Sequence, residues 1–594
     1  MMKTMMVVSF IFSFAFAWMT TPHEARMVPA AGPAPAPVEA FSVSTKGPFK
    51  NNQTLPIDTT FKLPAPIPVW PPGNGFGSGI INLGGLQVAQ ISTFNKIWSS
   101  YEGGPDNVGA TVFEPSGIPE GFSMLGCYSQ PNNKPLFGQV LVAKDDSPTS
   151  NNPALKEPLD YTLIWTSESL EINQNGSAYF WLPTPPNGYV AVGHVVTASP
   201  DKPSLDKIRC VRSDLTDQLE AGSSIWENKG FNIYNTRPTK RGTQALTLVL
   251  GTFIAQNGGS NGPLFMFCLR NTNPNSTTTS MPNLQQIDAI VQAYSPIMYL
   301  HPDEEYLPSS VNWFFSNGGL LYKKGDESNP SPIQPNGNNL PQDPNNDDSY
   351  WLDLPADETN RERVKKGELQ SAQAYLHIKP MFGGTYTDIA MWVYYPFNGP
   401  ARAKIEFFNI PLGKIGEHVG DWEHVTLRVS NFNGELQRVY FSEHSGGKWV
   451  DSSDLEFKSG NKFASYASLH GHAFYSKPGL VLRTGNYNNN GIGIRNDTES
   501  SDKAVDLGVG FEVVSAEYLG PGIVVEPPWL NYYREWGPKI TYDIANELKK
   551  VEKFLTGKLK KLFEKFVSKL PSELLGEEGP TGPKVKNSWS GDEI

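Results

Sequence analysis

Two stretches of this chain, sixty-seven residues apart, match each other without a gap, and that repeat limits the fold more than any other feature. The first copy reads FNKIWSS and then TVFEPSGIPEGFSMLG; the second reads YTLIWTS and then AYFWLPTPPNGYVAVG. Ile97/Ile164, Trp98/Trp165, Phe113/Phe180, Pro119/Pro186, Gly121/Gly188, Phe122/Tyr189 and Gly126/Gly193 coincide. A proline followed by a Gly-aromatic step reads as a tight turn feeding a strand. Repeats of this kind form single sheets of a larger β assembly, and the Trp and Phe positions are expected to be its core. A third, weaker β segment runs from ALTLVLGTFIA to LFMFCLR.

Short alternating strands return in the C-terminal half, among them HVTLRVS, LQRVYFSEH and GLVLRTG. The expected fold is therefore mainly β: a repeated β module over 61–270, then a β-sandwich over 284–540. The polar run NTNPNSTTTSMPN between them reads as a linker, and NPSPIQPNGNNLPQDPNNDD as a long surface loop. A Pro- and Ala-rich leader over 18–60 and a tail over 571–594 are expected to be disordered. Residues 541–570 carry apolar side chains at helical spacing with lysines between them. This predicts one amphipathic helix that packs its apolar face on the domain, the alternative being a helix lying on an anionic membrane.

Residues 1–17 have one lysine, an apolar run and the triplet Ala15-Phe16-Ala17, the shape of a secretory signal. Sequons at Asn52, Asn175, Asn275 and Asn496 agree with a glycoprotein of the secretory pathway, extracellular or vacuolar. Net charge is −11 with no basic block ahead of the C-terminus, which argues against nucleic acid as a partner. Three cysteines, Cys127, Cys210 and Cys268, leave at least one thiol unpaired within the chain, and no CxxC pair exists for a zinc finger.

The chemistry concentrates in GEHVGDWEHV, 416–425. Five of the nine histidines lie between His418 and His472. On a strand Asp421 and Glu423 share a face, and a bend at Val419-Gly420 could swing His418 onto it. Glu443 and His444 follow beside two glycines, and His470 and His472 share a face if their segment is extended. Two carboxylates with imidazole suit a divalent cation, Mg²⁺ or Ca²⁺ by ligand type. The expected ion ligands are His418, Asp421 and Glu423, with His444 and His472 in or beside the shell. His424 has the opposite parity to Glu423 and is set apart.

LPAPIPVWPPGNGFGSGIINLGGLQV, SPIMYLHPDEEYLPSSVNWFF and GEHVGDWEHVTLRVSNFNGELQRVYFSEHSGGKW closely resemble the plant branch of the vacuolar protein sorting-associated protein 62 family. That resemblance covers most of 60–540 and implies a link to vacuolar sorting. LPTPPNGYVAVG is similar to β modules of the vacuolar protein sorting-associated protein 13 lipid-transfer family, which bind adaptor peptides; this implies a protein partner on the N-terminal repeat. DIAMWVYYPFN, HVGDWEHV and FSEHSGG resemble the core of the necrosis- and ethylene-inducing-like cytolysins. Their His-x-x-Asp-Trp-Glu run is matched by His418, Asp421, Trp422 and Glu423. The resemblance implies that His, Asp and Glu hold a divalent cation that docks a sphingolipid sugar head group. It adds Asn398 as a neutral counterpart of a further aspartate ligand, and it sets Gly420 where those proteins carry a second histidine.

These readings converge on a non-enzymatic binding protein of the vacuolar or secretory route, with a divalent cation and a glycan or lipid head group as ligands. Two rivals are a metal-dependent hydrolase, with His444 or Glu443 as base, and a membrane-damaging defence protein. No G-x-S-x-G or H-E-x-x-H motif occurs to favour hydrolysis.

Overall fold

A computed structural model describes residues 47–50, 53–146, 151–258, 266–275, 279–483, 492–539, 543–568 and 579–593. The expected signal segment, most of the leader and the sequon at Asn52 lie outside the described residues. The chain is mainly β, in mostly antiparallel sheets, with parallel pairs at Ile297–Tyr299 with Lys462–Ala467 and at Ala374–Met381 with Phe511–Ser515.

In the N-terminal module the first two strands of each repeat copy pair in a sheet of their own, while the strand that ends each copy, Ser123–Met124 or Tyr189–Val190, joins a different sheet. Trp98 lies on the strand Phe94–Ser100, Trp165 on Asp160–Thr166, and Trp226 on Thr216–Asn228; these strands belong to three different sheets. The three indoles meet edge to face, with centroids 5.4, 5.7 and 6.2 Å apart. Phe180, Phe231 and Phe253 fill the space around them. The expected aromatic core is thus a junction where three sheets share one packed centre. Its third sheet joins Phe253–Asn257 to the strands 216–238 and carries too little sequence likeness to register as a repeat.

The matched glycines Gly126 and Gly193 face each other across this junction. A Cβ added to Gly193 would lie 2.6 Å from Gly126 Cα and 2.4 Å from the Leu125 carbonyl oxygen. Both copies keep glycine because their backbones touch. Gly188, at φ +82 in the turn before Tyr189, has open space around it.

The second body is built on a six-stranded sheet, in the order Gly446–Asp451, Leu436–Glu443, His418–Ser430, Tyr386–Asn398, Ala374–Met381 and Phe511–Ser515. One face packs on a second sheet, which includes Ile297–Tyr299 and Lys462–Ala467, and encloses Met391, Val393, Val425, Leu427 and Phe463. The helix Leu284–Tyr294 closes this core. Asn283 and Gln286 cap it reciprocally, each side chain bonding the other's backbone N–H. The opposite face is covered by a cluster rich in aromatics, including Phe314, Trp392, Trp422, Trp529, Trp536 and Trp589. The expected sandwich is present, with an added outer layer. Both faces of the central sheet are consequently dry.

Several expected boundaries move. The end of the supposed leader is packed: Phe49, Leu55 and Ile57 are buried against Tyr101, Phe113 and Leu136. Residues 65–79 cross to the second body. Ala65 exchanges hydrogen bonds with the Asn461 side chain, Trp70 Nε1 donates to Asn433 O at 2.9 Å, and Phe76 enters the sandwich core. The polar run after 270 is anchored as well, since Asn271 and Ser280 donate to the carbonyls of Gly383 and Gly384 at 2.6 and 2.8 Å. The single expected helix is two, Ile544–Glu552 and Gly557–Val567, whose apolar sides pack on Ile405, Ile410, Leu412, Ile415 and Ile494. Packing on the domain is therefore the arrangement found. Among the described residues no helix is long and apolar enough to cross a membrane.

The largest correction concerns the tail. Residues 579–593 are ordered against the sandwich, with Trp589 stacked on His377 at 3.7 Å and Glu593 only 5% exposed. Glu593 Oε1 accepts from Thr426 Oγ1 at 2.9 Å and lies 3.2 Å from His424 Nε2 and 3.4 Å from Lys379 Nζ. Arg428 chelates Asp388 at 2.8 and 2.7 Å and reaches Asp592 at 2.7 Å. Composition suggested disorder, but this acidic end supplies the counter-charges that the sheet's buried basic groups require.

All three cysteines are free and buried, and burial pushes each thiol up to about 12.

Gly193→Ala should lower the stability of the repeat module by about 3 kcal/mol or more, because the neighbouring backbone cannot yield. Gly188→Ala should cost only about 1 kcal/mol of backbone strain. Thermal unfolding of the two variants checks the contrast. Glu593→Ala strands Lys379 and His424 and should cost about 3–5 kcal/mol, measured by denaturant titration.

Candidate functional site

The strand His418–Ser430 pairs with Tyr386–Asn398 in continuous antiparallel register, Asn398 opposite His418 and Tyr395 opposite Asp421. Its residues alternate between two buried faces, so every polar side chain must be matched by another part of the chain. Trp422, His424, Thr426 and Arg428 face the aromatic layer and the C-terminal tail. Asp421 and Glu423 face the other way, ahead of Val425 and Leu427 in the sandwich core. The same-face expectation for 421 and 423 holds, and His424 stands on the other side with Glu593.

Gly420 explains the bend. Its φ is +70, and a Cβ there would lie 2.6 Å from the carbonyl oxygen of Trp536. Glycine is required by that close approach, which leaves no room for a histidine at this position. The turn lets His418 Nδ1 meet Gly420 O at 2.8 Å. Burial lowers the His418 pKa, the nearby Asp421 charge opposing only part of that, so the ring is neutral at neutral pH.

Asp421 and His472 are brought together. His472 Nδ1 donates to Asp421 Oδ2 at 2.9 Å, and its Nε2 donates to the Tyr306 carbonyl oxygen at 3.1 Å. Both acceptors lack a proton to give, so both ring nitrogens carry one and the ring is an imidazolium. It lies fully buried, stacked on Tyr395 at 3.8 Å, and 3.8 Å from Glu304 Oε2. Burial alone would lower the His472 pKa; Asp421 and Glu304 overcome it and raise it to about 9. Burial likewise raises the carboxyls of Asp421 and Glu304, and His472 overrides that and holds both below their usual values. Glu423 is different. Burial, with the Asp421 charge beside it, pushes its pKa well above the carboxylate range, and it shares a short hydrogen bond with Ser442.

Glu304 is the residue that sequence reasoning missed. It lies in HPDEEYLP, more than a hundred residues before Asp421, and is buried to 3% exposure. Its carboxylate accepts the backbone N–H groups of Glu305, Tyr306 and His470. No local signal sets it apart, since it is the middle one of three consecutive acids, Asp303 to Glu305.

The other expected ligands are occupied elsewhere. His444 Nε2 meets Asn496 Oδ1 at 3.0 Å, which also buries the sequon at Asn496. Asn398 Nδ2 donates to the carbonyls of Gly399 and Gly416. Among the described residues no three His, Cys, Asp or Glu side chains form a group able to hold a metal ion. The expected convergence of six residues on one point is thus replaced by a proton-filled cluster of Glu304, His472, Asp421, Glu423 and His418. Its neighbourhood is strained: His444, His470 and His472 all have positive φ, between 53 and 68°, which β-carbon-bearing residues adopt at a cost of about 1–3 kcal/mol each and which tends to gather at functional sites.

The sequence profile of the vacuolar protein sorting-associated protein 62 family matches residues 57–593, nearly the whole described chain. This chain belongs to that family. It is thereby a vacuolar-sorting-related protein. Vacuolar protein sorting-associated protein 62 of Saccharomyces cerevisiae is 25% identical to this family member over 196 residues, 29% of this chain and 39% of the yeast protein. The match thus spans about two-fifths of that relative's length. GNIP1Aa from Chromobacterium piscinae overlaps 34% of this chain and 40% of its own, at 17% identity and a TM-score of 0.25. NLPPya in complex with glucosamine overlaps 32% and 67%, at 16% identity and a TM-score of 0.19. Overlaps this partial carry nothing about the ligand of the present family member.

The raised His472 pKa makes a signed prediction. Its contribution to stability is complete below about pH 6.5 and is lost as pH rises through about 9, on the order of 3 kcal/mol in all. Asp421 and Glu304, with lowered values, withdraw theirs as pH falls through their folded pKa values. In chelator-treated protein the unfolding midpoint should therefore decline between about pH 6.5 and 9. Glu423, whose pKa is also raised, adds to the decline in the same direction, so His472→Gln should shrink it and Glu423→Gln should shrink it further.

Proposed function

We propose that this member of the family is a non-enzymatic binding protein of the vacuolar or secretory route, whose ligand is a divalent cation carrying a glycan or lipid head group. The observation that supports the reading is the buried cluster of three carboxylates and two imidazoles around Asp421, in which His472 bonds to Asp421 and the pKa values of His472 and Glu423 are raised. Carboxylate oxygens with imidazole nitrogen suit Mg²⁺ or Ca²⁺. The donor types fit such an ion, while the present arrangement is closed by His472. Binding is therefore an exchange, in which the ion enters as the two protons leave. His444, the candidate base of the hydrolytic reading, has its Nε2 engaged with Asn496 Oδ1 at 3.0 Å, which favours binding over hydrolysis.

Calorimetric titration of the full chain with Ca²⁺ or Mg²⁺ tests this reading. The heat should change with the ionisation enthalpy of the buffer, since protons are released, and affinity should rise with pH. Asp421→Ala should abolish the signal. Heats of the same size in the wild type and in Asp421→Ala would remove the ion from the account.

A further inference from the structure

Apart from the buried cluster, one end of the second body displays aromatic rings that the described residues leave bare. Phe407 is 93% exposed, Phe554 87% and Phe408 54%. The strands Arg402–Ile405 and Phe408–Pro411 pair with Ile405 opposite Phe408, so Glu406 and Phe407 form a two-residue turn. Such turns take Gly, Asn or Asp where φ is positive. Here Glu406 sits at φ +55, and the most exposed position holds a phenylalanine. Neither choice helps the hairpin to form; both make sense if the tip is there to be presented.

Phe554 lies in the connection between the helices Ile544–Glu552 and Gly557–Val567. Those helices pack on the Arg402–Ile405 strand, and Lys558 pairs with Glu406 at 2.7 Å, so the hairpin tip and the helical connection stand side by side. The apolar sides of the helices are already used in that packing. Charge is concentrated here too: 544–567 carries seven lysines against three glutamates, in a chain of net charge −11. Lys549, Lys550, Lys553, Lys558 and Lys561 are exposed.

We propose that this end docks on an anionic lipid bilayer, with Phe407, Phe408 and Phe554 entering the interfacial layer and the lysines facing the head-group charge. A protein-binding centre is a contiguous apolar patch depleted of lysine. Separate rings set among lysines are the opposite pattern, and a bilayer surface accepts isolated wedges while attracting positive charge. This edge uses none of the residues of the cation reading.

Co-sedimentation of the full chain with vesicles decides it. Binding should be strong to phosphatidylcholine vesicles containing phosphatidylserine, weak to phosphatidylcholine alone, and indifferent to chelator. Phe407→Ser with Phe554→Ser should weaken it by about tenfold or more at unchanged thermal stability. Lys553→Gln with Lys561→Gln should reduce the preference for anionic vesicles. Since the native thiols are buried, Phe407→Cys can carry an environment-sensitive dye, whose emission should shift to the blue on the anionic vesicles. Binding to neither vesicle, equal binding by the double Ser variant, or an unshifted dye in the pelleted complex would each overturn the proposal. So would the finding that these rings drive self-association in place of lipid binding.

Discussion

The molecule is organised by one constraint: the strand His418–Ser430 is buried on both faces yet carries two histidines, two acids and an arginine. In a dry environment each of these groups must be matched by a partner or be held neutral. The rest of the second body can be read as the set of answers. Arg428 is matched by Asp388 from the neighbouring strand and by Asp592 from the tail; His424 by Glu593; Asp421 by His472 from a distant turn; Glu423 by retaining its proton beside Ser442. Two remote segments supply the partners: Glu304–Tyr306 flanks His472, and 579–593 brings Glu593 to His424 and Asp592 to Arg428.

The same strand separates two kinds of chemistry by parity alone. Its even positions from Trp422 onward meet indoles and the C-terminal acids, an arrangement that reads as a lock. Its odd positions, Asp421 and Glu423, face the other way, where His472 bonds to Asp421 and lies 3.8 Å from Glu304. Separation by a sheet one residue thick allows a rigid electrostatic fastening to stand back to back with a group of titratable residues. The N-terminal module is tied to the same body by the segment 65–79 and by Asn271 and Ser280, while its own integrity rests on three indoles meeting at one point.

Much of this was legible beforehand. The repeat gave away the separate sheets, because matched Trp and Phe positions mark equivalent core sites, and the spacing of 421 and 423 placed both on one face. The bend at Gly420 was visible as a Val-Gly step. What could not be read was which of His444, His470 and His472 would reach Asp421. That choice depends on left-handed backbone at all three histidines, an unfavourable conformation that local propensity argues against and that only surrounding packing can impose.

By itself, then, the sequence determined what depends on periodicity and residue type: the β class, the aromatic core positions, the face shared by the two acids and the amphipathic character of 541–570. Tertiary structure alone decided the pairings. Glu304 and Glu593 carry no local signal, since a carboxylate is as well suited to a solvated loop as to a buried ion pair. Their roles arise only when folding brings each within a few ångströms of an imidazole in a medium of low dielectric, where a missing counter-charge is costly. The tail looked disordered for the same reason: its composition is that of a solvated segment, and its partners lie more than a hundred and fifty residues away.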